Sequence, residues 1–428
     1  MDRQGVVKRI DEAVERLEEE MVDFLVELVR IPTENPPGKN YPQCAEAIGA
    51  KMASIGMEVD YIETPAERLA ELAPDGEGLP RISVVGTLSG SLKRPLLHFS
   101  GHYDVVPAGT GWRYEPYAGV IEDGKVFGRG ASDQKSGLVA QIYALKALQK
   151  AGIRLEGTYV SSATPDEETG GYAGLGYLVE QGFLNRDNTD YCVITECLGV
   201  NNICLGHRGT IWFEIITKGK QSHGSMPCEG VNAIDNMLKL IQAIREEIDP
   251  LLEIESEHLI VPPICRKGSL TVTMINAGTK VNTVPNSCSA SFDWRLIPEH
   301  DIAWAKQQII GLCEKMKHEE PDFDYELKLI QEVKPTLVPD DTPVVEAFLK
   351  AAETCLGRAP NFTVSPGSDD QKFVVNQGGL EQCIVYGPGP LEVAHQCDEY
   401  ITIDDLKKGT KIMALAAIKL LGIEGRDE

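Results

Sequence analysis

The residues of this chain best suited to chemistry are histidines and acids that stand beside glycines where apolar runs end. His102 and Asp104 lie in "HFSGHYDVVPAG", Asp133 in "GRGASDQKSG", Asp166, Glu167 and Glu168 in "TPDEETGG", Glu196 in "ITECLG", and His395 in "VAHQCDEY". Residues two apart on a strand share a face. His102 and Asp104 can therefore meet at one site, as a metal-ligand imidazole held by a carboxylate. Taken singly, each motif has a plainer reading. A His-x-Asp is more often a hydrogen-bonded turn, "DEE" a solvated acidic turn, and Asp133 a turn or helix-cap residue. Taken together they supply two histidines and three carboxylates, a set that suits two divalent ions with one carboxylate between them. Consecutive residues such as Glu167 and Glu168 do not easily place both carboxylates on one ion. One can bind metal while its neighbour faces the attacking water as a base, which is what metal-assisted hydrolysis needs.

The elements that position these residues alternate. Residues 7 to 30 carry apolar side chains at helical spacing, and "IPTENPPG" breaks the pattern with three prolines. "AEAIGAKMASIGMEVDYIET" reads as helix then strand, and "RISVVGTLSG" and "PLLHFSGHYDVVP" as strands. "SGLVAQIYALKALQKAG" is a helix, and "GTYVSSATPDEETGG" and "YCVITECLG" are strands that end on acids. Strands alternating with helices imply an α/β domain with a mostly parallel sheet, whose ligands bind beyond the carboxyl ends of the strands. After Gly206 the pattern becomes strand–helix–strand–strand–helix, a compact α+β unit. The chain then returns to helix–strand–helix. This predicts one α/β domain (residues 1–205 and 323–428) interrupted by an inserted α+β domain (206–322).

Bulk properties bound the function. A chain of 428 residues favours two domains. A composition 42% hydrophobic and 25% charged is ordinary for a globular protein. The net charge of −24 argues against nucleic acid or an anionic membrane as partner. No apolar run reaches the length of about 18 residues that a membrane span needs. The charged N-terminus lacks the apolar core of a signal peptide. The 11 cysteines are scattered without a CxxC pair, as expected of reduced thiols in a cytoplasm.

"GHYDVVP", "GRGASDQKSG", "DEETGG", "SHGSMP", "VNTVPN", "FDWRLIP", "GPG" and "HQCDEYI" occur in that order. In this the chain resembles the dinuclear zinc metallopeptidase family of aminoacylases, carboxypeptidase G, acetylornithine deacetylase and succinyl-diaminopimelate desuccinylase. The resemblance runs from about residue 20 to 420. It implies a zinc-aminopeptidase-like α/β catalytic domain with an inserted ferredoxin-like lid through which such proteins form homodimers. It implies that His102 and Glu196 bind one metal, Glu168 and His395 the other, and that Asp133 bridges them. Asp104 would orient His102, and Glu167 would be the general base. His223, in "KQSHGSMP", resembles a lid histidine that stabilises the oxyanion in a partner subunit's site; by itself it would be a loop-capping residue. Asn282 and Arg295 resemble lid residues that hold the substrate's carboxylate or carbonyl, although a strand ion pair explains Arg295 equally well. Gly367 and Ser368 belong to a loop expected to line the substrate.

Three departures from the family pattern fall where a substrate would sit. The chain has Thr195-Glu196-Cys197 for the usual Gly-Glu-Pro, Gly367-Ser368-Asp369-Asp370-Gln371-Lys372 for Gly-Thr-Ser-Asp-Ala-Arg, and Asp398 for the Asn of His-x-x-Asn-Glu. None removes an expected ligand. The sequence therefore predicts a metal-dependent hydrolase of C–N bonds acting on a small-molecule substrate, an N-acyl amino acid or small peptide. Zinc is the expected metal, with manganese or cobalt served by the same ligand types. Two rivals are a hydrolytic deaminase of an aromatic or other unusual amine on the same scaffold, motivated by the altered loops, and a non-catalytic binding relative, disfavoured by the complete ligand set.

Overall fold

The computed structural model describes residues 3–425. The chain forms two compact units. The first comprises Met1–Leu205, Val338–Phe362 and Asp369–Glu428, and the second Gly206–Leu337 with Thr363–Ser368.

The first unit is built on a sheet ordered Glu58–Glu63, Ile82–Leu88, Thr158–Thr164, Leu96–His102, Tyr191–Ile194, Cys383–Val385 and Asn202–His207. Its four central strands are mutually parallel, and the strands outside them run antiparallel. Thr158–Thr164 is buried along its whole length, as a strand covered on both faces must be. Helices Arg3–Val29, Lys135–Lys150 and Ile403–Leu421 pack on one another. Lys135–Lys150 is so enclosed that even its first residue is buried: the Lys135 ammonium donates to the carbonyls of Leu28 and Ile31, both at 2.8 Å. A small three-stranded sheet of Val120–Glu122, Lys125–Phe127 and Tyr400–Thr402 pairs Phe127 with Tyr400. That pairing brings the segment after His395 beside the residues leading to Asp133. Among the described residues no helix is long and apolar enough to cross a membrane.

The second unit is a four-stranded antiparallel sheet ordered Ser269–Ala277, Ser287–Leu296, Gly209–Lys218 and Asp324–Val333, with helices Ala233–Ala243 and Ile302–Glu319. Both helices start on a side-chain cap. Asn232 accepts from the amide of Ile234, and Asp301 from that of Trp304. The connectivity and strand order are ferredoxin-like. The unit is longer than the sequence expectation, which ended it at residue 322. It runs on through Leu337 because Asp324–Val333 pairs along Gly209–Lys218. "DYELKLIQEV" has a weak strand signature because it is an edge strand whose side chains stay largely exposed, so charged residues interrupt its alternation.

Candidate metal centre and active site

The parallel strands of the first unit end at one rim, and the predicted residues gather there. His102 is the last residue of Leu96–His102 and stands opposite Thr164 in register. Asp166 to Glu168 follow Thr164, Glu196 follows Ile194, and His395 lies on the loop after Cys383–Val385. Asp133 enters from the turn before Lys135–Lys150. Asp166 and His395 hold φ values of 69° and 62°, a left-handed conformation that side chains other than glycine rarely adopt. Such local strain concentrates at functional sites.

The Asp133 carboxylate faces both histidines, one with each oxygen. Oδ1 is 3.3 Å from His102 Nε2, and Oδ2 is 3.2 Å from His395 Nε2. His102 Nε2 is also 3.4 Å from Glu196 Oε1, and His395 Nε2 is 3.1 Å from Glu168 Oε2. Ligand-type atoms of His102, Asp133 and Glu168 lie within 4.8 Å of one another, as do those of His102, Glu167 and Glu196. His102 Nε2 and Glu168 Oε1 are buried without a hydrogen bond. Buried polar atoms that turn towards other acceptors rather than towards donors fit cation ligands. Asp133, Glu167, Glu168 and Glu196 crowd four carboxylates around two imidazoles, a charge that divalent ions balance.

The electrostatics carry the same mark. Burial, followed by the charge of Glu196, pushes the Glu167 carboxyl well above its usual range. Burial, followed by Asp133, pushes Glu168 up to about 7. Burial acts to raise Asp133 too, but the imidazoles of His102 and His395 outweigh it and hold that carboxyl low. Hydrogen bonding to Asp133 and Glu168 raises His395 to about 11.

A surrounding layer orients these groups. His102 Nδ1 donates to the Asp104 carbonyl at 2.9 Å, which leaves Nε2 as the lone-pair nitrogen facing the site. The Asp104 carboxylate lies 3.4 Å from the same Nδ1 and accepts the amides of Glu167 (3.2 Å) and Glu168 (3.1 Å). It also accepts from Asn35 Nδ2 at 2.9 Å. Asp104 thus serves the glutamate pair as much as the histidine. Glu399 Oε1 accepts the amides of Gly130, Ser132 and Asp133, and its Oε2 pairs with Arg129 at 2.5 Å. Thr195 donates to Gln134 Oε1, and Gln134 in turn donates to Glu196 Oε1.

Asp166 anchors the glutamate turn from below. It accepts from Arg81 Nε at 2.8 Å, from the Tyr41 hydroxyl at 2.9 Å and from Asn35 at 3.2 Å, all buried. Burial, then the charge of Asp104, raises its carboxyl to about 6 against the pull of Arg81. Arg81→Ala should leave a buried carboxylate without its counter-charge. Removing one partner of such a pair costs about 3–5 kcal/mol. Urea denaturation checks this, and a midpoint indistinguishable from wild type would refute the anchoring role.

The remaining predicted residues belong to the second unit. His223 and Asn282 come together there: His223 pairs with Thr283 across a two-residue ladder, and Gly224 donates its amide to the Asn282 carbonyl at 2.8 Å. Both side chains are exposed, and His223 Nδ1 is 2.7 Å from Ser225 Oγ. Arg295 forms an ion pair within its own strand. Its Nε and Nη2 donate to the two oxygens of Asp293, at 2.8 and 3.0 Å, and Nη1 donates to Thr210. Gly367 and Ser368 continue a segment tied down by Arg208, whose Nε donates to the Pro366 carbonyl at 2.8 Å.

Sequence reasoning missed Asn35, Arg81 and Glu399. Asn35 and Arg81 act from 69 and 85 residues away in sequence, so no local pattern marks them. Glu399 stood inside a quoted motif but was given no role. It also missed the pairing of Asp370 with Lys372, 3.7 Å apart and buried, whose charges bear on Glu167. Asp398, the substituted residue beside Glu399, caps the Arg113 amide at 2.8 Å.

Known proteins resemble this chain in sequence and fold. Residues 98–419 match Peptidase family M20/M25/M40. A probable succinyl-diaminopimelate desuccinylase from Staphylococcus epidermidis is 26% identical over 408 residues, covering 90% of this chain and 94% of that protein. The succinyl-diaminopimelate desuccinylase of Psychromonas ingrahamii is 28% identical over 337 residues, covering 77% and 84%. Among solved structures, a di-peptidase from Saccharomyces cerevisiae superposes with a TM-score of 0.75 at 17% identity, covering 97% of this chain and 98% of that one. A dinuclear metal binding peptidase from Bacillus subtilis gives 0.65 at 17% identity, covering 95% and 99%. The structural likenesses establish the fold, and the match across most of the sequence, joined to a rim of ligands for divalent metal, establishes the rest: the chain belongs to peptidase family M20/M25/M40 and is a metal-dependent hydrolase of amide bonds.

Proposed function

We propose that the centre holds two zinc ions and that the enzyme cleaves the amide of an N-acyl amino acid or small peptide. The observation that carries this reading is the Asp133 carboxylate, whose two oxygens each face a different histidine. In this reading His102 and Glu196 hold one ion, Glu168 and His395 the other, and Asp133 both. Metal ions held there would supply Lewis-acid polarisation of the scissile carbonyl and would lower the pKa of a water towards neutrality. Glu167 would take the attacking water's proton and return it to the leaving nitrogen. The Asp104 carboxylate, by accepting the two glutamate amides, keeps Glu167 turned to the water while Glu168 stays a ligand. The test is metal analysis of the reconstituted protein followed by a panel of N-acyl amino acids, dipeptides and aromatic amines. Two equivalents of zinc and released amino acid are expected. Release of ammonia from an amine with no amide cleaved would favour the deaminase reading instead.

The second unit acts in this reading as a lid and dimerisation domain, with His223 stabilising the oxyanion in the partner's site. Its exposure in a single chain and its place on a glycine-flanked loop support this. His223→Ala subunits mixed with Glu167→Gln subunits should rescue each other. Equal mixing makes about half the dimers hybrid with one intact site of two, so roughly a quarter of wild-type activity should return. Activity no higher than that of the separate variants, in a sample shown to have exchanged subunits, would mean that His223 does not act across an interface.

A further inference from the structure

One member of the rim chemistry has no role in the reading above. Cys197 follows Glu196 directly, and its side chain is buried, only 4% exposed. Its Sγ, a carboxylate oxygen of Asp133 and one of Glu196 all lie within 4.8 Å of one another. Cys197 forms no disulfide. The same two carboxylates meet His102 Nε2, at 3.3 and 3.4 Å, and that nitrogen is buried without a hydrogen bond. A soft sulfur and an unpartnered imidazole nitrogen each lie near the carboxylates of Asp133 and Glu196.

We propose that Cys197 is a thiolate ligand of the metal position shared by Asp133 and Glu196, and that it sets the metal preference of the centre. The proposal rests on the two-metal reading given above. Zinc takes thiolate at about 2.3 Å and imidazole or carboxylate oxygen at about 2.0–2.2 Å. The spacing of the sulfur and the two oxygens lets one ion reach all three with small side-chain movements. On binding, the thiol proton leaves to solvent and the sulfur lone pair goes to the metal, with no change of oxidation state. The chemical consequence is selectivity. A site of imidazole and carboxylates alone accepts manganese, cobalt and zinc, whereas a thiolate favours zinc and disfavours manganese. Gln134, which donates to Glu196 Oε1 at 2.8 Å, steadies the carboxylate beside it.

The test reads metal coordination rather than turnover. Cys228 and Cys397 are exposed and would scavenge zinc, so both are first replaced by serine. Zinc-loaded protein in that background is then studied by X-ray absorption, beside the same protein carrying Cys197→Ser. The expected result is a sulfur shell at about 2.3 Å that the serine variant lacks. Zinc-over-manganese preference, measured by competition, should fall roughly 10- to 100-fold, the scale on which changes around a metal site act. Two bound zinc ions with only nitrogen and oxygen neighbours in the Cys197 protein would overturn the ligand assignment and leave the two-metal centre standing. Failure of the Cys197 protein to bind zinc would overturn the centre itself and this inference with it. The spectrum of the Cys197 protein decides the matter even if the serine variant does not fold.

Discussion

Glu167→Gln should retain both metal ions and lose hydrolysis by at least 10²–10⁴-fold, the range that a lost general base accounts for. The amide keeps the shape of the side chain and removes only its ability to accept a proton. Glu167 is the member of the glutamate pair that makes no close approach to His395; that approach belongs to Glu168, at 3.1 Å. Its backbone amide is held by Asp104 at 3.2 Å, so the turn should survive the change. The loss should fall on kcat with little change in KM, because the interaction removed operates in the transition state. Metal analysis and steady-state kinetics on the same preparation check it. Unchanged kcat with both ions bound would remove Glu167 from the mechanism.

Asp133→Ala should strip both metal positions at once and with them the activity. Each Asp133 oxygen faces a different histidine, so the truncation takes a ligand from both positions. His102→Ala and His395→Ala should each weaken one position and spare the other. Altering even a supporting partner of a metal ligand costs about 10–100-fold in affinity, and losing a ligand should cost no less at each position. Titration with zinc, read as stoichiometry and as separate dissociation constants, distinguishes the cases. Loss of a single ion in all three variants would show that Asp133 does not bridge.

The centre was unusually legible because its residues sit where apolar runs stop. His102, Glu168 and Glu196 each close or closely follow a buried parallel strand, and a strand buried on both faces announces itself as an unbroken apolar run. What lay beneath the ligands was not legible. Arg81, Asn35 and Glu399 bind through hydrogen bonds to residues 85, 69 and 266 positions away, and a charged side chain looks the same in sequence whether it pairs in the core or points to water. Arg295 was legible in two ways, as a strand ion pair and as a substrate holder, and the structure pairs it with Asp293, two residues away. The end of the inserted unit was misplaced for a third reason: an edge strand has one neighbour, so its sequence is less constrained to alternate.

The return of the chain after the inserted unit has a consequence for how the enzyme comes into being. His102, Asp133, Glu168 and Glu196 are all made early in synthesis, whereas His395 and Glu399 arrive only after residues 206–337 have been added. Closing a loop that long costs little more than closing a shorter one, since the entropy grows only with the logarithm of length. The order of events is nevertheless fixed. In the two-metal reading, a nascent chain stopped before residue 395 would have the residues for one metal position but not the other. Its Gly130–Asp133 turn also lacks the carboxylate that takes up its amides. The centre can be completed only once His395 and Glu399 have been made, so a chain released before them has no working form.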